Sequence, residues 1–472
     1  MSRPPSSPEL VELARQVERD LALLDYPRRP WLRPRTTSVG GPVHDVIIVG
    51  GGQSGLTAAF GLARERVGNV LVVDQNPLDR AGPWLNFARM RTLRTPKYLT
   101  GPDLGIPSLT PRAWYEAQHG EGSWESLGLI PKELWAAYLA WYRQVLRIPV
   151  MPDTRVGALS FDTAERCFVV PCEGPAGAHR LRARRVILAT GIDGSGEWRI
   201  PESIEGSLPR ARYAHTRESI DFEALRGKRV AVLGAGASGF DNAATALEHG
   251  ARAVHLLFRR PQLVNVNAYR WAEFVGFLKH HADLPDPEKW RFILQILRMG
   301  QLPPADTLAR AQQLPGFVLR AGAEWKALAE RDGAVHIQTQ SDTIEVDFVI
   351  VATGFVTDLA ARPELANFEP FIARWADRFT PPASEQHEDL LRHPYLGQNF
   401  EFTERTSGSA PYLGHLYNYT FGGLLSMGFG GASISGLKYS SARLVAGITR
   451  SFFVEDSAAY FDGLKNFAET EF

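Results

Sequence analysis

DVIIVGGGQSG at residues 45–55 and RVAVLGAGASG at residues 229–239 are two versions of one phrase in a chain of 472 residues. Each is an apolar run that ends in Gly-x-Gly-x-x-Gly. The uninterrupted β-branched stretch 46–49 suits a central parallel strand covered on both faces. Gly50 permits the tight turn, Gly52 lets a phosphate reach the backbone, and Gly55 lets the next helix pack against the strand. That helix, LTAAFGLARER, aims its N-terminal amides and positive dipole end at the phosphate, with Gln53 and Ser54 in the loop as further cofactor-binding candidates. Gly234, Gly236 and Gly239 repeat the spacing.

The two copies differ at the end of the next strand. NVLVVDQN ends in Asp74, 24 residues after Gly50, where a carboxylate accepts hydrogen bonds from a ribose 2′-hydroxyl. The same count from Gly234 reaches Phe258, followed by Arg259 and Arg260. Two guanidiniums with no carboxylate favour a 2′-phosphate, hence NADP over NAD, with Ser238 adding a hydroxyl; a solvated strand end is the alternative use of this arginine pair. One cradle therefore suits FAD and the other NADPH, and a chain with both moves electrons from nicotinamide to flavin.

Composition narrows the class. With 44% hydrophobic residues the chain can bury a large core of two or more domains. Formal net charge is zero, so no basic field attracts nucleic acid. No run of 18 apolar residues exists to span a membrane, and the charged N-terminal stretch reads as an amphipathic helix after a Pro/Ser-rich tail. Cys167 and Cys172 are the only cysteines. Five positions apart on a β-like run, they face opposite sides, as buried thiols rather than a redox pair. A cytoplasmic protein is expected, with homo-oligomerisation left open. His280 and His281 are adjacent and splay apart on a helix, so no metal site is expected.

RRVILATGIDG at 184–194 and DFVIVATGFVTD at 347–358 both end a hydrophobic strand in Ala-Thr-Gly. With these landmarks the chain resembles the flavoproteins with two dinucleotide-binding domains, and within them the flavin-containing and N-hydroxylating monooxygenases. The resemblance covers most of 43–450 and implies an α/β fold of two Rossmann-like domains. FAD would take 41–200 and 346–472, with a NADP domain at 201–345 inserted between and 1–40 as an extension. It also implies that Thr190, Gly191, Thr353 and Gly354 lie near the cofactors, where the chain passes between domains. The family's Phe-x-Gly-x-x-x-His-x-x-x-Trp/Phe fingerprint falls on PRARYAHTRES, 209–219, where only His215 is kept. Such degeneracy is usual among N-hydroxylating relatives, which Met90, Leu93, Arg94 and Pro96 also echo. In the segment 80–99 the resemblance puts Trp84 over the flavin, Asn86 beside it and Arg91 on the cofactor; Trp84, Asn86 and His215 are the catalytic candidates.

Residues 264–302 exceed what a nucleotide-binding domain needs. Helical periodicity over 268–281 and 288–299 is split by the turn DLPDP, and the insertion is read as lid and substrate wall. Asn265, Asn267 and Arg270 are its polar candidates for substrate. The glycine-rich stretch after Asn418, helical from about Ser435, would lie against the flavin ring. The resemblance implies NADPH reduction of FAD, addition of O2 at the flavin C4a carbon, and transfer of one oxygen atom to a small nitrogen substrate: a primary amine, amino acid or hydroxylamine. A reductase or oxidase without oxygen insertion, and sulfur or carbonyl oxygenation, are the alternatives.

Overall fold

Two sheets that share the order of four parallel strands form the scaffold of the computed structural model, which describes residues 7–25, 29–99 and 101–472. The first is built from β1 (Pro42–Val49), β2 (Val70–Val73), β3 (Val150–Met151) and β5 (Gly177–Leu188), with helix α1 (Gln53–Arg64) after β1 and the antiparallel strand β4 (Cys167–Gly174) before β5. The second is built from β6 (Tyr213–His215), β7 (Arg229–Leu233), β8 (Ala253–Phe258), β9 (Phe317–Ala321) and β10 (Phe348–Val351), with helix α2 (Ala237–Glu248) after β7. A late strand, β11 (Leu416–Asn418), returns to the first sheet beside β5. The orders are β3-β2-β1-β5-β11 and β9-β8-β7-β10-β6, parallel throughout.

The registers match as well. Val46 to Val49 pair with Val70 to Val73, and Val230 to Leu233 pair with Val254 to Leu257. Both central strands are buried on both faces, as their unbroken apolar runs require: Ile47 and Ile48 in one sheet and Val230 and Val232 in the other have no exposed surface. In each half an antiparallel excursion separates the third strand from the fourth. Cys167 and Cys172 sit buried and free on β4, and burial pushes the Cys172 thiol up to about 11.

The connections between the halves differ from the expected limits. β10 is hydrogen-bonded between β7 and β6, so the second passage falls at Thr353 and Gly354 rather than at 346. Just beyond the two Ala-Thr-Gly turns, Gly196–Trp198 and Phe355–Thr357 pair antiparallel, so the two passages brace each other.

The insertion folds away from the second sheet. Ala268, Phe277, Trp290, Ile293 and Leu294 share a core with Trp375, Leu390, Leu424, Leu425 and Phe429 from the C-terminal third. The helix expected over 268–281 is two short ones, Ala268–Trp271 and Val275–His280, because Phe274 is extended at φ −128° and ψ 154°. Helix Asp286–Met299 follows Pro285. The glycine-rich stretch becomes helical at Leu437 and runs to Glu455. Among the described residues, no helix is long and apolar enough to cross a membrane.

Candidate functional site

The C-terminal ends of β1 and β5 meet at the first glycine loop. Gly50 N donates to Val73 O at 2.8 Å, and Ala189 N donates to Val49 O at 2.8 Å. Gly50 has φ 110°, in the region that favours glycine, and a Cβ there would overlap the Ala189 carbonyl. A Cβ on Gly55 would overlap the Gly50 carbonyl. Gly52 is different: its Cβ would meet nothing nearer than Gly82 Cα at 3.8 Å, which makes it the glycine a phosphate can approach.

Unsatisfied buried donors border this loop. The Trp84 indole N–H, the Thr190 hydroxyl and the Arg143 Nε are buried without hydrogen-bond partners among the described residues. Asp74 is buried, its Oδ2 accepting from Gly51 N at 2.6 Å and its Oδ1 from Asn76 N at 2.7 Å. Asp74, Asn76, Arg143 and Gly51 line one cavity at the strand ends. A phosphate-sized opening at Gly52, a carboxylate at the strand end and orphaned donors around them fit FAD. Gln53 is occupied by structure, since its Oε1 accepts from Trp135 Nε1 at 3.1 Å. Trp135 meets Trp84 edge-on, with ring centres 6.5 Å apart. Asn86 lies on the turn beside Trp84. It is exposed, and its Nδ2 donates to Arg80 O at 2.8 Å and Gly82 O at 2.7 Å, holding the turn that carries Trp84.

A roof lies over this cradle. The Ser54 hydroxyl donates to Gly431 O, tying the loop 428–436 to the first turn of α1. The insertion rests on that loop in turn: Tyr269 stacks on Phe429 with centroids 5.2 Å apart, and Gly428 packs on His281. Buried His281 has an Nε2 that reaches Leu425 O at 3.2 Å, and desolvation pulls its pKa down to about 4. Asn267 caps the helix Ala268–Trp271 by accepting from Arg270 N at 3.1 Å, and Asn265 is exposed. Arg270 faces its own chain, with its Nε 3.2 Å from Glu273 Oε2. Glu273 and Ser435, bonded at 3.2 Å, were missed in the sequence because periodicity placed residue 273 inside a regular helix.

The second loop repeats the first in backbone and departs from it in surroundings. Gly234 N donates to Leu257 O at 2.9 Å and Ala352 N to Leu233 O at 2.9 Å. A Cβ on Gly234 (φ 120°) would overlap the Ala352 carbonyl, and one on Gly239 would overlap the Gly234 carbonyl. Gly236 would meet nothing within 4 Å, and Ser238 is exposed. This loop fits a dinucleotide that binds from solvent. The arginine pair is divided. Arg259 is exposed, whereas Arg260 donates to Met299 O at 3.2 Å and Arg298 O at 3.3 Å, capping the insertion helix Asp286–Met299. Thr353 Oγ1 donates to Arg199 O at 3.3 Å, and Gly191 and Gly354 both have φ 88°.

Arg91 meets the second half of the molecule, and His215 meets a passage strand. Arg91, with a side chain 66% exposed, is 2.6 Å from Glu248 at the end of α2. Arg94 reaches buried Asp241 at 3.2 Å, and Arg310 pairs with both acids. His215 is buried and stacks against Trp198, centroids 5.4 Å apart. Its Nδ1 accepts from Arg217 N at 3.1 Å, which places the ring proton on Nε2, and desolvation lowers its pKa.

The family model "Pyridine nucleotide-disulphide oxidoreductase" matches residues 44–279. A FAD-dependent urate hydroxylase of Xanthomonas campestris pv. campestris is 42% identical over 471 residues, covering 98% of this chain and 97% of its own. In fold the chain is similar to the ornithine N-hydroxylase of Kutzneria sp. 744, solved with reduced FAD, NADP+ and L-ornithine (TM-score 0.65, 16% identity, 87% of this chain and 100% of that one). It is similar also to the ornithine hydroxylase of Pseudomonas aeruginosa (TM-score 0.66, 14% identity, 86% and 99%).

Proposed function

We propose that this chain, which belongs to the pyridine nucleotide-disulphide oxidoreductase family and within it to the flavoprotein monooxygenases, hydroxylates a small nitrogen-rich substrate with NADPH and O2. It is an FAD- and NADPH-dependent oxidoreductase. The observation that carries the reading is the roofed first cradle: a phosphate loop with room at Gly52, covered by the 428–436 loop and the insertion. FAD, when bound, supplies acceptance of a hydride and activation of O2, which no side chain here provides.

The residues of the chain bind, orient and exclude water. Backbone amides at 50–55 would hold the FAD pyrophosphate, Asp74 and Asn76 its ribose, and Trp84 and Thr190 its remaining polar edge. Gly234, Gly236, Ser238 and Gly239 would hold the NADPH pyrophosphate, with Arg259 on the 2′-phosphate. The aromatic wall of Tyr269, Phe277 and Phe429 keeps the roof dry, a condition for oxygen transfer without loss to hydrogen peroxide. The FAD unit would comprise 41–200 with 355–472, and the NADPH unit 201–354.

A planar, urate-like heterocycle is the substrate class that the Xanthomonas hydroxylase supports. Nitrogen oxidation of a primary amine, amino acid or hydroxylamine is the second reading, to which the nine-tenths-buried carboxylate of Glu273 lends an acceptor and Arg270 beside it a like charge. Turnover with NADPH under ¹⁸O2 separates them, using urate, ornithine, cadaverine and hydroxylamine. Label in a ring C–O bond of urate supports the first reading, and label in an N–O bond the second. Hydrogen peroxide as sole product, or a labelled sulfoxide or ester from other acceptors as the efficient product, defeats both.

A further inference from the structure

The break in the insertion helix turns one carboxylate inward. Between Trp271 and Val275 the chain leaves helical geometry, and Glu273 swings against the roof loop with a side chain only 10% exposed. Its Oε1 accepts from the Ser435 hydroxyl at 3.2 Å. Its Oε2 is buried without a hydrogen-bond donor in line, although Arg270 Nε stands 3.2 Å away. The Arg270 side chain is 57% exposed.

We propose that Glu273 and Arg270 form the substrate-recognition pair of the roofed site, reading an amide or ureide edge in which an N–H and a C=O lie side by side. This rests on the monooxygenase reading above and names the residues that select its substrate. A carboxylate accepts the N–H, and the neighbouring guanidinium donates to the carbonyl, so the pair offers the complement of that edge. The Oε2 of Glu273 is ion-paired with Arg270 but has no in-line hydrogen bond among the described residues, so it keeps acceptor capacity that a ligand N–H can fill. Desolvation raises the Glu273 pKa, and Arg270 and Ser435 offset this only in part.

Position connects the pair to the cradle. Ser435 belongs to the loop whose Gly431 carbonyl takes the Ser54 hydroxyl, so two hydrogen bonds and a short stretch of chain link Glu273 to the glycine loop. Trp271 and Phe274, 55% and 47% exposed, flank the carboxylate in sequence; Trp271 stacks on Phe292 and meets Phe274 edge-on. The pair also discriminates. A primary ammonium gains from Glu273 but meets a like charge at Arg270, whereas a neutral or enolised ureide uses both groups.

The test is equilibrium binding of urate and of cadaverine to the FAD-loaded protein, followed by the change in flavin absorbance and fluorescence, with kcat and KM for urate-stimulated NADPH oxidation. Glu273→Gln should raise the urate dissociation constant and KM about tenfold or more, the scale of one charge-assisted hydrogen bond. Arg270→Met should weaken urate binding while improving cadaverine binding, and the double variant should lose less than the product of the single effects. FAD content and the thermal midpoint report whether each variant has folded, and Ser435→Ala gives a milder loss through the same carboxylate. Wild-type binding of urate with no change in Glu273→Gln overturns the pair and leaves the monooxygenase reading standing. Wild-type failure to bind urate overturns the pair and the urate reading together.

Discussion

The two glycine cradles share a backbone and differ in what surrounds it. In both, the first glycine presses on the alanine carbonyl of an Ala-Thr-Gly turn, the third presses on the first, and the second faces open space. Around the first, Gln53 and Ser54 are buried, Trp135 and Gly431 hold them, and Asp74 closes the strand end. Around the second, Ser238 and Arg259 are exposed to solvent. On the function proposed above, one device would serve two residence times: the covered cradle would retain its dinucleotide, and the open one would exchange it each turnover.

The strongest way to break this comparison is the same substitution in both loops. Gly52→Val should give a colourless, folded protein, with FAD affinity lowered by a thousandfold or more, about 4 kcal/mol. Gly236→Val should stay yellow and lose reduction by NADPH. If flavin content and stopped-flow reduction change alike in the two variants, the cradles are not separate sites.

Acid should act first on the covered half. His281, His393 and His415 are each pulled down to about 4 by burial, from an ordinary value of 6.5. In this window the unfolded chain binds more protons than the folded one, so stability is full above 6.5, falls as pH drops, and levels off near 4. The slope is about 1.4 kcal/mol per pH unit for each such histidine. Urea midpoints and flavin release measured from pH 7.5 to 5 should show the loss; a flat profile removes this asymmetry.

The arginine pair sharpens the comparison at the second cradle. Arg259→Ala should narrow NADPH preference over NADH by roughly 10- to 150-fold, a contact of about 1.5–3 kcal/mol. Arg260→Ala should leave the preference within about twofold, because its partners are the carbonyls of Arg298 and Met299. Ratios of kcat/KM for the two nicotinamides decide it, and the reverse result returns the phosphate to Arg260. The smallest effect belongs to Arg91→Ala. Loss of its exposed pair with Glu248 should cost about 0.2–1 kcal/mol by urea denaturation with FAD content unchanged, and flavin loss would put Arg91 on the cofactor after all.

Both halves of the scaffold were legible because they rest on local requirements. An unbroken β-branched run reads as a covered strand, and a glycine forced to positive φ reads as a turn, whatever the rest of the chain does. The expectations for Asn86, Arg91, Arg260 and His215 were of another kind. Each side chain is long or polar enough to reach several partners, and the nearest proved to be a turn carbonyl, an acid on α2, a helix end and a passage strand.

By itself the sequence determined two glycine loops, each between a covered strand and a helix, and their unequal strand ends at Asp74 and at Arg259 and Arg260, since backbone sterics and side-chain periodicity act within a few residues. Only the tertiary structure decided that β11 joins a sheet begun more than 350 residues earlier, that Ser54 meets Gly431, and that Glu273 meets Ser435, 162 positions away. Those contacts depend on how separate cores pack, and packing sums many weak, non-directional terms that leave no local mark in the chain.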